Sequence, residues 1–468
     1  MNRIGAPEMI CEYSLTDRFK SFGIAVALTA AAMLANSVRA QVPSTPSIGA
    51  PLETHHLDNG LSVILAPDRS TPIVAIAISY RAGVADEDPG RSEFSHLFEH
   101  LMFDGPRGEH QRRIQEVGGR GDATTDFDQT HYYQQVPSNY LETVLWLESD
   151  RMGFMLPAIT QEHLDLQRSV VQNEHRQRRE NAPYGMAFWE TLGELYAAGH
   201  PYSLPDGWIA ELEAATVDAA RSFFSRLYGP NNATLAIVGD FVPQETLRLV
   251  ERYFGEIPAV PRSRPPSPQP IRLDDDRYVV LEDRVELPAL FVTWPTSAIL
   301  ADGEPELHIL AEVLAGGRNS RLHRRLVDDE AIARTASAGQ ESWALSGQFM
   351  LSVISMPGQD LNVVRARIDD EIDRLLGAAP PTDDEVTRAV NTVLLRLASR
   401  HESRIQRAQR LARLHNLTGD PGFAARELDR YASVTPATVA AVAARYLGSA
   451  RVVLSVVPEG MRELSVAP

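Results

Sequence analysis

Two histidines and a glutamate in one short segment could bind a metal ion and transfer a proton. His96 and His100 stand four residues apart in a mostly apolar stretch, with Glu99 between them. Residues i and i+4 share one face of a helix, so the two imidazoles can reach a common point. Neutral imidazoles suit Zn²⁺, and a nearby carboxylate that is not a ligand can take a proton from water that the metal activates.

A histidine pair on a buried helix also has a purely structural interpretation. The apolar neighbours Leu97, Phe98 and Leu101 predict that this helix packs into a core, where both rings could simply be hydrogen-bonded core residues. Zinc sites use at least three protein ligands. The third ligand must therefore come from elsewhere in the chain.

A second predicted helix, over 161–180, offers one candidate for that ligand. Val170, Val171 and Glu174 share a face of this helix with Gln167. A carboxylate beside an apolar stripe is costly unless it is paired or bound to a cation. A solvated glutamate is the alternative interpretation, and it is common in a chain with 62 acidic residues. The helix alone does not select Glu174.

The rest of the first half predicts elements that would hold these two helices in place. Asn59-Gly60 separates two short strands within 55–65, as in a tight hairpin. A strand at 72–80 precedes the predicted helix at 91–103, which carries His96 and His100. A glycine turn then leads to a strand pair at 122–126 and 130–136. The further predicted elements are helices at 138–154, 161–180, 184–197, 214–227 and 243–254, and a core strand at 231–240.

The second half repeats this order of elements after a proline-rich segment. Residues 257–270 contain six prolines, which predicts an extended linker. Strands are predicted at 277–281, 289–294, 348–355 and 451–457, and helices at 303–315, 362–376, 384–414, 422–431 and 436–446. The repeated order suggests an internal duplication. The helix at 303–315 keeps His308 and Glu312 but lacks the H-x-x-E-H order, so only the first half can build the metal site.

Composition limits the classes of partner. The chain has 468 residues, 44% of them hydrophobic and 23% charged, which is typical of globular domains. Its formal net charge of −17 argues against nucleic acid and anionic membrane surfaces as partners. Cationic substrates would be favoured if the acids line a cavity, although solubility is the simpler explanation.

Residues 1–40 have the features of a secretory signal peptide. Arg18 and Lys20 precede an apolar run over 22–35 that is too short to span a bilayer comfortably, and Ala40 suits cleavage before Gln41. An uncleaved anchor is the alternative. The only cysteine, Cys11, lies in this segment, so the mature chain would have no thiol for a disulfide, a metal site or a nucleophile. We therefore expect a periplasmic protein of a Gram-negative bacterium.

Taken together, these motifs resemble the M16 peptidase family, the group of pitrilysin, insulin-degrading enzyme and mitochondrial processing peptidase. That family carries H-x-x-E-H, the inverzincin signature, and a glutamate on a later helix as its third zinc ligand. Here Glu174 follows His100 by 74 residues. The resemblance covers nearly all of 51–458, and further matching segments are Gly118-Gly119, Ala123-Thr124, Pro183-Tyr184-Gly185, His200-Pro201-Tyr202, Pro230-Asn231-Asn232-Ala233 and Gly239-Asp240.

The resemblance implies a fold and an activity. The fold would be α+β, with two homologous domains at 51–256 (catalytic) and 271–460 (inactive copy), each a mainly antiparallel sheet flanked by helices (the LuxS/MPP-like metallohydrolase fold). One Zn²⁺ per chain would be held by His96, His100 and Glu174. With Glu99 as general base, the chain would be an endopeptidase that hydrolyses peptides inside a closed chamber.

The same resemblance identifies substrate-binding residues and three departures from the family pattern. The strand carrying Asp122, Ala123 and Thr124 is similar to the edge strand on which the family captures peptides as an added strand. Asp122 replaces an asparagine common in the family, and an ionised aspartate cannot donate to a substrate carbonyl. Gln167 replaces a glutamate that supports the metal ligands. An arginine and tyrosine pair that holds substrate is replaced by Val327 and Arg334.

These departures predict a second subunit. A family member of this length is half of a four-domain clamshell, so a related, zinc-free subunit would supply the missing arginine and tyrosine. We therefore expect a heterodimer rather than a homodimer. A non-catalytic subunit that scaffolds or binds peptides is one alternative function. A metal carrier is another, and it would not need Glu99 beside the ligands.

Overall fold

The computed structural model describes residues 52–103, 105, 109–203, 207–261, 271–420 and 422–467. The predicted signal peptide at 1–40 and residues 262–270 of the predicted linker lie outside the described residues. Within the described part of the chain, no helix combines the length and the apolar character needed to cross a bilayer.

The described strands form two sheets. The first sheet has six strands in the order β1-β2-β6-β3-β5-β4, and the second has five in the order β7-β11-β8-β10-β9. The strands are β1 (Glu53–His56), β2 (Ser62–Pro67), β3 (Ile73–Tyr80), β4 (Arg120–Thr125), β5 (Thr130–Pro137), β6 (Ala233–Gly239), β7 (Arg277–Asp283), β8 (Ala289–Thr296), β9 (Ala333–Ser342), β10 (Gly347–Ser355) and β11 (Val452–Pro458).

The two sheets have the same topology, which confirms the predicted duplication and fold class. The order β2-β6-β3-β5-β4 in the first sheet corresponds strand by strand to β7-β11-β8-β10-β9 in the second. In each sheet one pair is parallel, β2 with β6 and β7 with β11, and the other pairs are antiparallel. In both halves, therefore, the last strand enters the sheet beside the corresponding early strand and runs parallel to it.

Helices flank both sheets. They are α1 (Phe94–Phe103), α2 (Glu109–Glu116), α3 (Leu141–Gly153), α4 (Gln161–His175), α5 (Ala187–Leu195), α6 (Trp208–Glu213), α7 (Val217–Leu227), α8 (Pro243–Phe254), α9 (Glu304–Ala315), α10 (Arg321–His323), α11 (Leu361–Leu376), α12 (Asp383–Glu402), α13 (Arg404–Thr418), α14 (Phe423–Ala432) and α15 (Pro436–Tyr446). The α-helix predicted over 161–180 ends at 175, where a π-helical turn, Arg176–Glu180, continues it.

Two further differences from the predicted elements lie in the second half. The strand β9 was not predicted, because its residues are mainly small and polar, yet it pairs with β10 along its full length. The helix predicted over 384–414 is two helices, because Ser403 is extended (φ −79°, ψ 118°) and its side chain caps α13 by accepting from Gln406 N–H. A hydroxyl cap at this point starts a new helix.

Each half contributes a helix to the sheet of the other half. Alternate residues of a strand face opposite sides of a sheet, and on the first sheet Ile64 and Ala75 face α13 from the second half, packing against Ala408 and Leu411. The opposite face of that sheet packs on α1 and its neighbours. In the same way, Ala187 of α5 packs on Leu454 of the second sheet. The two halves are thereby combined into one compact unit.

Candidate metal centre

The helix α1 fixes the two candidate histidine ligands through the burial of its other face. Leu97, Phe98 and Leu101 are at most 1% exposed in the core of the first half. His96 and His100 remain about one-fifth exposed, at 23% and 21% of their side-chain surface. The apolar spacing therefore sets which way the two imidazoles point.

The first turn of α1 is capped by a carboxylate from outside the helix. Glu87 accepts hydrogen bonds from the backbone N–H groups of Glu93 (3.0 Å) and Ser95 (2.8 Å), and also from the Ser95 hydroxyl. These groups lack partners within the helix. A buried acid at this position holds the start of the helix, and with it His96, in a fixed place.

Glu174 reaches the histidines because α4 packs against α1. Glu174 Oε2 lies 3.1 Å from His100 Nε2 and 3.5 Å from His96 Nε2, and the two Nε2 atoms are 3.3 Å apart. Ligand bonds of about 2.0–2.1 Å in a tetrahedral zinc site separate neighbouring ligand atoms by about 3.3–3.4 Å. Two nitrogens and one oxygen at these separations therefore fit Zn²⁺. These three residues are also the one group of its kind found among the described residues.

Charge in the site favours a cation. A hydrogen bond with His96 holds the pKa of Glu174 at about 2, against the opposing effect of burial. Burial lowers the pKa of His96, but hydrogen bonds with Glu174 and Glu93 outweigh it and raise that pKa to about 10. The pKa of His100 is lowered, by burial and by the charge of His96. The acid therefore remains ionised, and the proton on His96 stands where a metal cation would bind. That proton must leave before a metal binds, because an imidazole that ligates a metal is neutral.

Glu99 lies beside this group and outside it. Burial raises the pKa of its carboxyl, opposed by a hydrogen bond with the Thr125 side chain and by the charge of His96. Thr125 is the last residue of β4, so Glu99 faces the end of the sheet edge. A carboxylate whose pKa is raised towards neutrality is suited to accept a proton and pass it on.

Two residues next to the candidate ligands, Glu93 and Arg179, were not predicted from the sequence. Glu93 Oε2 lies 3.1 Å from His96 Nδ1, and Glu93 Oε1 accepts from Arg179 Nη2 at 3.0 Å. Burial raises the pKa of Glu93, but the hydrogen bond with His96 and the charge of Arg179 outweigh it and hold the pKa at about 2. The i, i+3 spacing of Glu93 and His96 was the available signal.

Gln167, the predicted support of the metal ligands, lies on α4 with Glu174. Its side chain is partly buried two turns before Glu174, and it forms no hydrogen bond with the described part of the chain. The candidate ligand Glu174 has an exposed partner, since Arg178 Nη1 lies 2.6 Å from Glu174 Oε1 and the Arg178 side chain is 76% exposed.

Asp122, Ala123 and Thr124 lie on β4, at the edge of the first sheet. Alternate residues of an antiparallel strand direct their N–H and C=O groups away from the partner strand. On that open side the Gly121 carbonyl accepts from the Gln111 side chain at 3.0 Å, and Ala123 N–H donates to Asp122 Oδ1 at 2.9 Å. Part of the open edge is therefore already hydrogen-bonded to side chains of this chain.

A cavity of about 460 Å³ lies next to the candidate ligands. His96, Glu174 and Thr125 form one side of it, and its lining includes Glu341 and Trp343 from the second half. The aromatic lining residues are Phe127, Phe188, Trp189 and Trp343. The cavity is large enough for one or two side chains of a peptide and is formed by both halves of the molecule.

The two residues predicted to replace the arginine and tyrosine pair lie in the second half. Val327 lies in a π-helical turn after α10 and packs against the hydrophobic core of the second half. Arg334 is exposed near the start of β9.

Comparisons with known proteins match both halves of the chain. Residues 62–188 match the family model "Insulinase (Peptidase family M16)", and residues 214–393 match "Peptidase M16 inactive domain". The zinc protease PqqE of Helicobacter pylori is 28% identical over 293 residues, which is 61% of this chain and 65% of that protein. A zinc protease of Streptomyces coelicolor described as uncharacterized is 27% identical over 84% of this chain and 86% of its own length.

Solved structures share the fold. A protease from Helicobacter pylori superposes with a TM-score of 0.80 at 23% identity, covering 88% of this chain and all of that one. The periplasmic protease PqqL from Escherichia coli superposes with a TM-score of 0.70 at 19% identity. In that comparison 89% of this chain covers 49% of the Escherichia coli chain, so this chain corresponds to about half of that protein.

Proposed function

Because the chain belongs to the M16 peptidase family, we propose that it is a zinc-dependent endopeptidase with one Zn²⁺ per chain. The observation that carries the proposal is the meeting of His96, His100 and Glu174 at zinc-ligand separations, with Glu99 beside them and free of the ligand group. A zinc ion there would polarise a peptide carbonyl and make a water molecule more acidic.

In this proposal the other residues hold the substrate and move the proton. Glu99 takes the proton from the attacking water and gives it to the leaving amine. The edge strand with Asp122, Ala123 and Thr124 binds the peptide backbone as an added strand, which gives little sequence preference. The cavity beside Glu174 receives a side chain next to the bond that is cut.

The test compares wild type with Glu99→Gln. We expect the variant to keep one zinc per chain, measured by metal analysis, and to lose peptide hydrolysis by at least about 100-fold. Glu116→Gln, an exposed acid on α2, is the matched control. If hydrolysis survives in Glu99→Gln, the proposed role of this residue is wrong.

A non-catalytic subunit that binds peptides is the second candidate function. The match of residues 214–393 to an inactive-domain model favours it. That match covers only the end of the first half and most of the second half, whereas all four proposed site residues lie before residue 175. Zinc binding without hydrolysis by wild type, alone and with its partner, would support this candidate.

We further propose that the active assembly contains two related chains. The Escherichia coli protease is about twice as long as the part that this chain matches, and Val327 and Arg334 replace the pair that would hold the substrate. A zinc-free relative from the same genome would supply that pair as a heterodimer. Gel filtration and digestion assays with and without that relative test this, and full activity of the single chain would contradict it.

Periplasmic location is part of the proposal. It is supported by the predicted signal peptide and by the Escherichia coli relative, which is described as periplasmic. Fractionation of the native host tests it, since a cytoplasmic protein that retains residues 1–40 would rule it out.

A further inference from the structure

Glu93 has a backbone conformation that residues with side chains rarely adopt. Its φ is 65°, in the left-handed region, and its side chain is only 6% exposed. Such conformations persist where the surroundings enforce them, and they occur often at functional sites. Here Glu93 N–H donates to Glu87 Oε2, and the Glu93 carbonyl accepts from Leu97 N–H at the start of α1.

This conformation directs the Glu93 carboxylate at the back of a candidate metal ligand. Glu93 Oε2 lies 3.1 Å from His96 Nδ1, while His96 Nε2 faces His100 and Glu174. A carboxylate on one ring nitrogen sets the tautomer and the plane of an imidazole that binds metal through the other nitrogen.

The second oxygen of the same carboxylate is also held. Glu93 Oε1 accepts from Arg179 Nη2 at 3.0 Å, and the Arg179 guanidinium lies over the Trp189 ring, 3.6 Å from its centroid. Arg179 belongs to the π-helical turn that follows Glu174. The elements that carry Glu174 and His96 are therefore tied to each other through Glu93.

We infer that Glu93 is a positioning residue for the metal centre, an inference that rests on the proposed zinc site. It orients His96 and adds negative charge close to the cation, which is the support that the family resemblance assigned to position 167. Gln167 has no charge and forms no hydrogen bond with the described residues. The support comes instead from the start of α1.

The test measures metal binding without any substrate. In Glu93→Gln we expect the affinity for Zn²⁺, measured by competition with a chromophoric chelator, to fall about 10- to 100-fold. The visible absorption spectrum of the Co²⁺-loaded protein should shift as well, because the orientation of His96 changes. Gln172→Ala is the control and should match wild type in both measurements, because the Gln172 side chain donates to Glu213 of α6.

The result that overturns the inference is a folded Glu93→Gln protein with wild-type Zn²⁺ affinity and Co²⁺ spectrum. Should Glu93→Gln fail to fold, the double variant Glu93→Gly/Arg179→Met gives the same test. Glycine suits the left-handed backbone, and methionine leaves no unpaired guanidinium. Weaker Zn²⁺ binding in that protein supports the inference, and wild-type binding overturns it.

These outcomes are separable from those of the proposed function. If Glu93→Gln weakens Zn²⁺ binding but wild type cuts no peptide, alone or with its zinc-free relative, Glu93 keeps its assigned role and the proposed endopeptidase activity is wrong. If wild type cuts peptides while Glu93→Gln binds Zn²⁺ as tightly as wild type, the proposed endopeptidase activity is supported and the proposed role of Glu93 is wrong.

Discussion

At the scale of single residues, the site separates groups that are suited to bind a cation from a group that is suited to move a proton. His96, His100 and Glu174 share one point in space, whereas Glu99 faces the end of β4 with a carboxyl whose pKa is raised by burial. Burial and hydrogen bonds, rather than residue type, assign these different roles to Glu99 and Glu174.

The two arginines near the ligands should differ in importance. Arg178 pairs with Glu174 but is 76% exposed, whereas Arg179 is 15% exposed and pairs with buried Glu93. An exposed ion pair contributes only about 0.2–1 kcal/mol. Arg178→Ala should therefore weaken Zn²⁺ binding by less than about fivefold, as measured by chelator competition. A loss as large as that expected for Glu93→Gln would show that Glu174 depends on Arg178.

At the scale of elements, the edge strand β4 is only partly available for a peptide. The Gln111 side chain on α2 donates a hydrogen bond to the Gly121 carbonyl, and the Asp122 side chain accepts one from the N–H of Ala123. A peptide that pairs along β4 must compete with Gln111 for Gly121.

Removing this competitor should improve peptide binding. In Gln111→Ala we expect KM to fall about two- to tenfold for peptides long enough to reach Gly121, because one hydrogen bond contributes about 0.5–1.5 kcal/mol. Shorter peptides should be unaffected. Gln115→Ala, an exposed residue on the same helix, is the control. An equal change in KM for peptides of every length would mean that Gln111 does not act at the edge.

At the scale of the whole molecule, the second half contributes to the candidate site, although the candidate metal ligands found among the described residues all lie in the first half. Glu341 and Trp343 lie near the turn between β9 and β10 and line the cavity beside Glu174. The second half should therefore influence which peptides are cut.

The charge of Glu341 gives a test of this contribution. Glu341→Gln should lower kcat/KM up to about fivefold for peptides with lysine or arginine next to the cut bond, the range of an exposed ion pair. Neutral peptides should be cut as before. Glu459→Gln, an exposed acid after β11, is the control. A uniform loss for all peptides would instead indicate a general effect on the fold.

The helices α13 and α5 each pack on the sheet of the other half, which predicts that the two halves unfold together. Asn416 of α13 donates to the Ser79 carbonyl and hydroxyl of β3, at 2.9 Å each, and accepts from Thr234 at 2.6 Å. Asn416→Ala removes these three hydrogen bonds between the halves, which should lower the free energy of unfolding by about 1–3 kcal/mol. Urea unfolding should show one transition at lower denaturant, with exposed Asn391→Ala as control. Two separate transitions in wild type would contradict the coupling.

Much of the architecture could be predicted from local patterns. The H-x-x-E-H spacing placed two imidazoles on one face of α1, and the repeated order of strands and helices predicted two sheets of one topology. The strand β9 was missed because its small polar residues carry little β-propensity, and its pairing with β10 decides its state. The sequence also contained a signal for the start of α13, because serine at position 403 followed by glutamine at 406 is typical of a helix N-cap. The prediction of one long helix over 384–414 did not use this signal.

The sequence by itself determined which residue types could bind a metal, which helices carry them, and the repeated order of elements, because these depend on spacings of a few residues. Only the tertiary structure decided that Glu93 and Arg179 support His96, that Gln111 covers part of the β4 edge, and that Glu341 reaches the cavity. Glu93 needs a left-handed backbone that its residue type disfavours, and Arg179 and Glu341 lie far along the chain from the residues they approach. Gln111 reaches Gly121, ten residues away, because α2 packs beside β4. Such contacts form only when helices and strands pack together, and for Glu341 only when the two halves do.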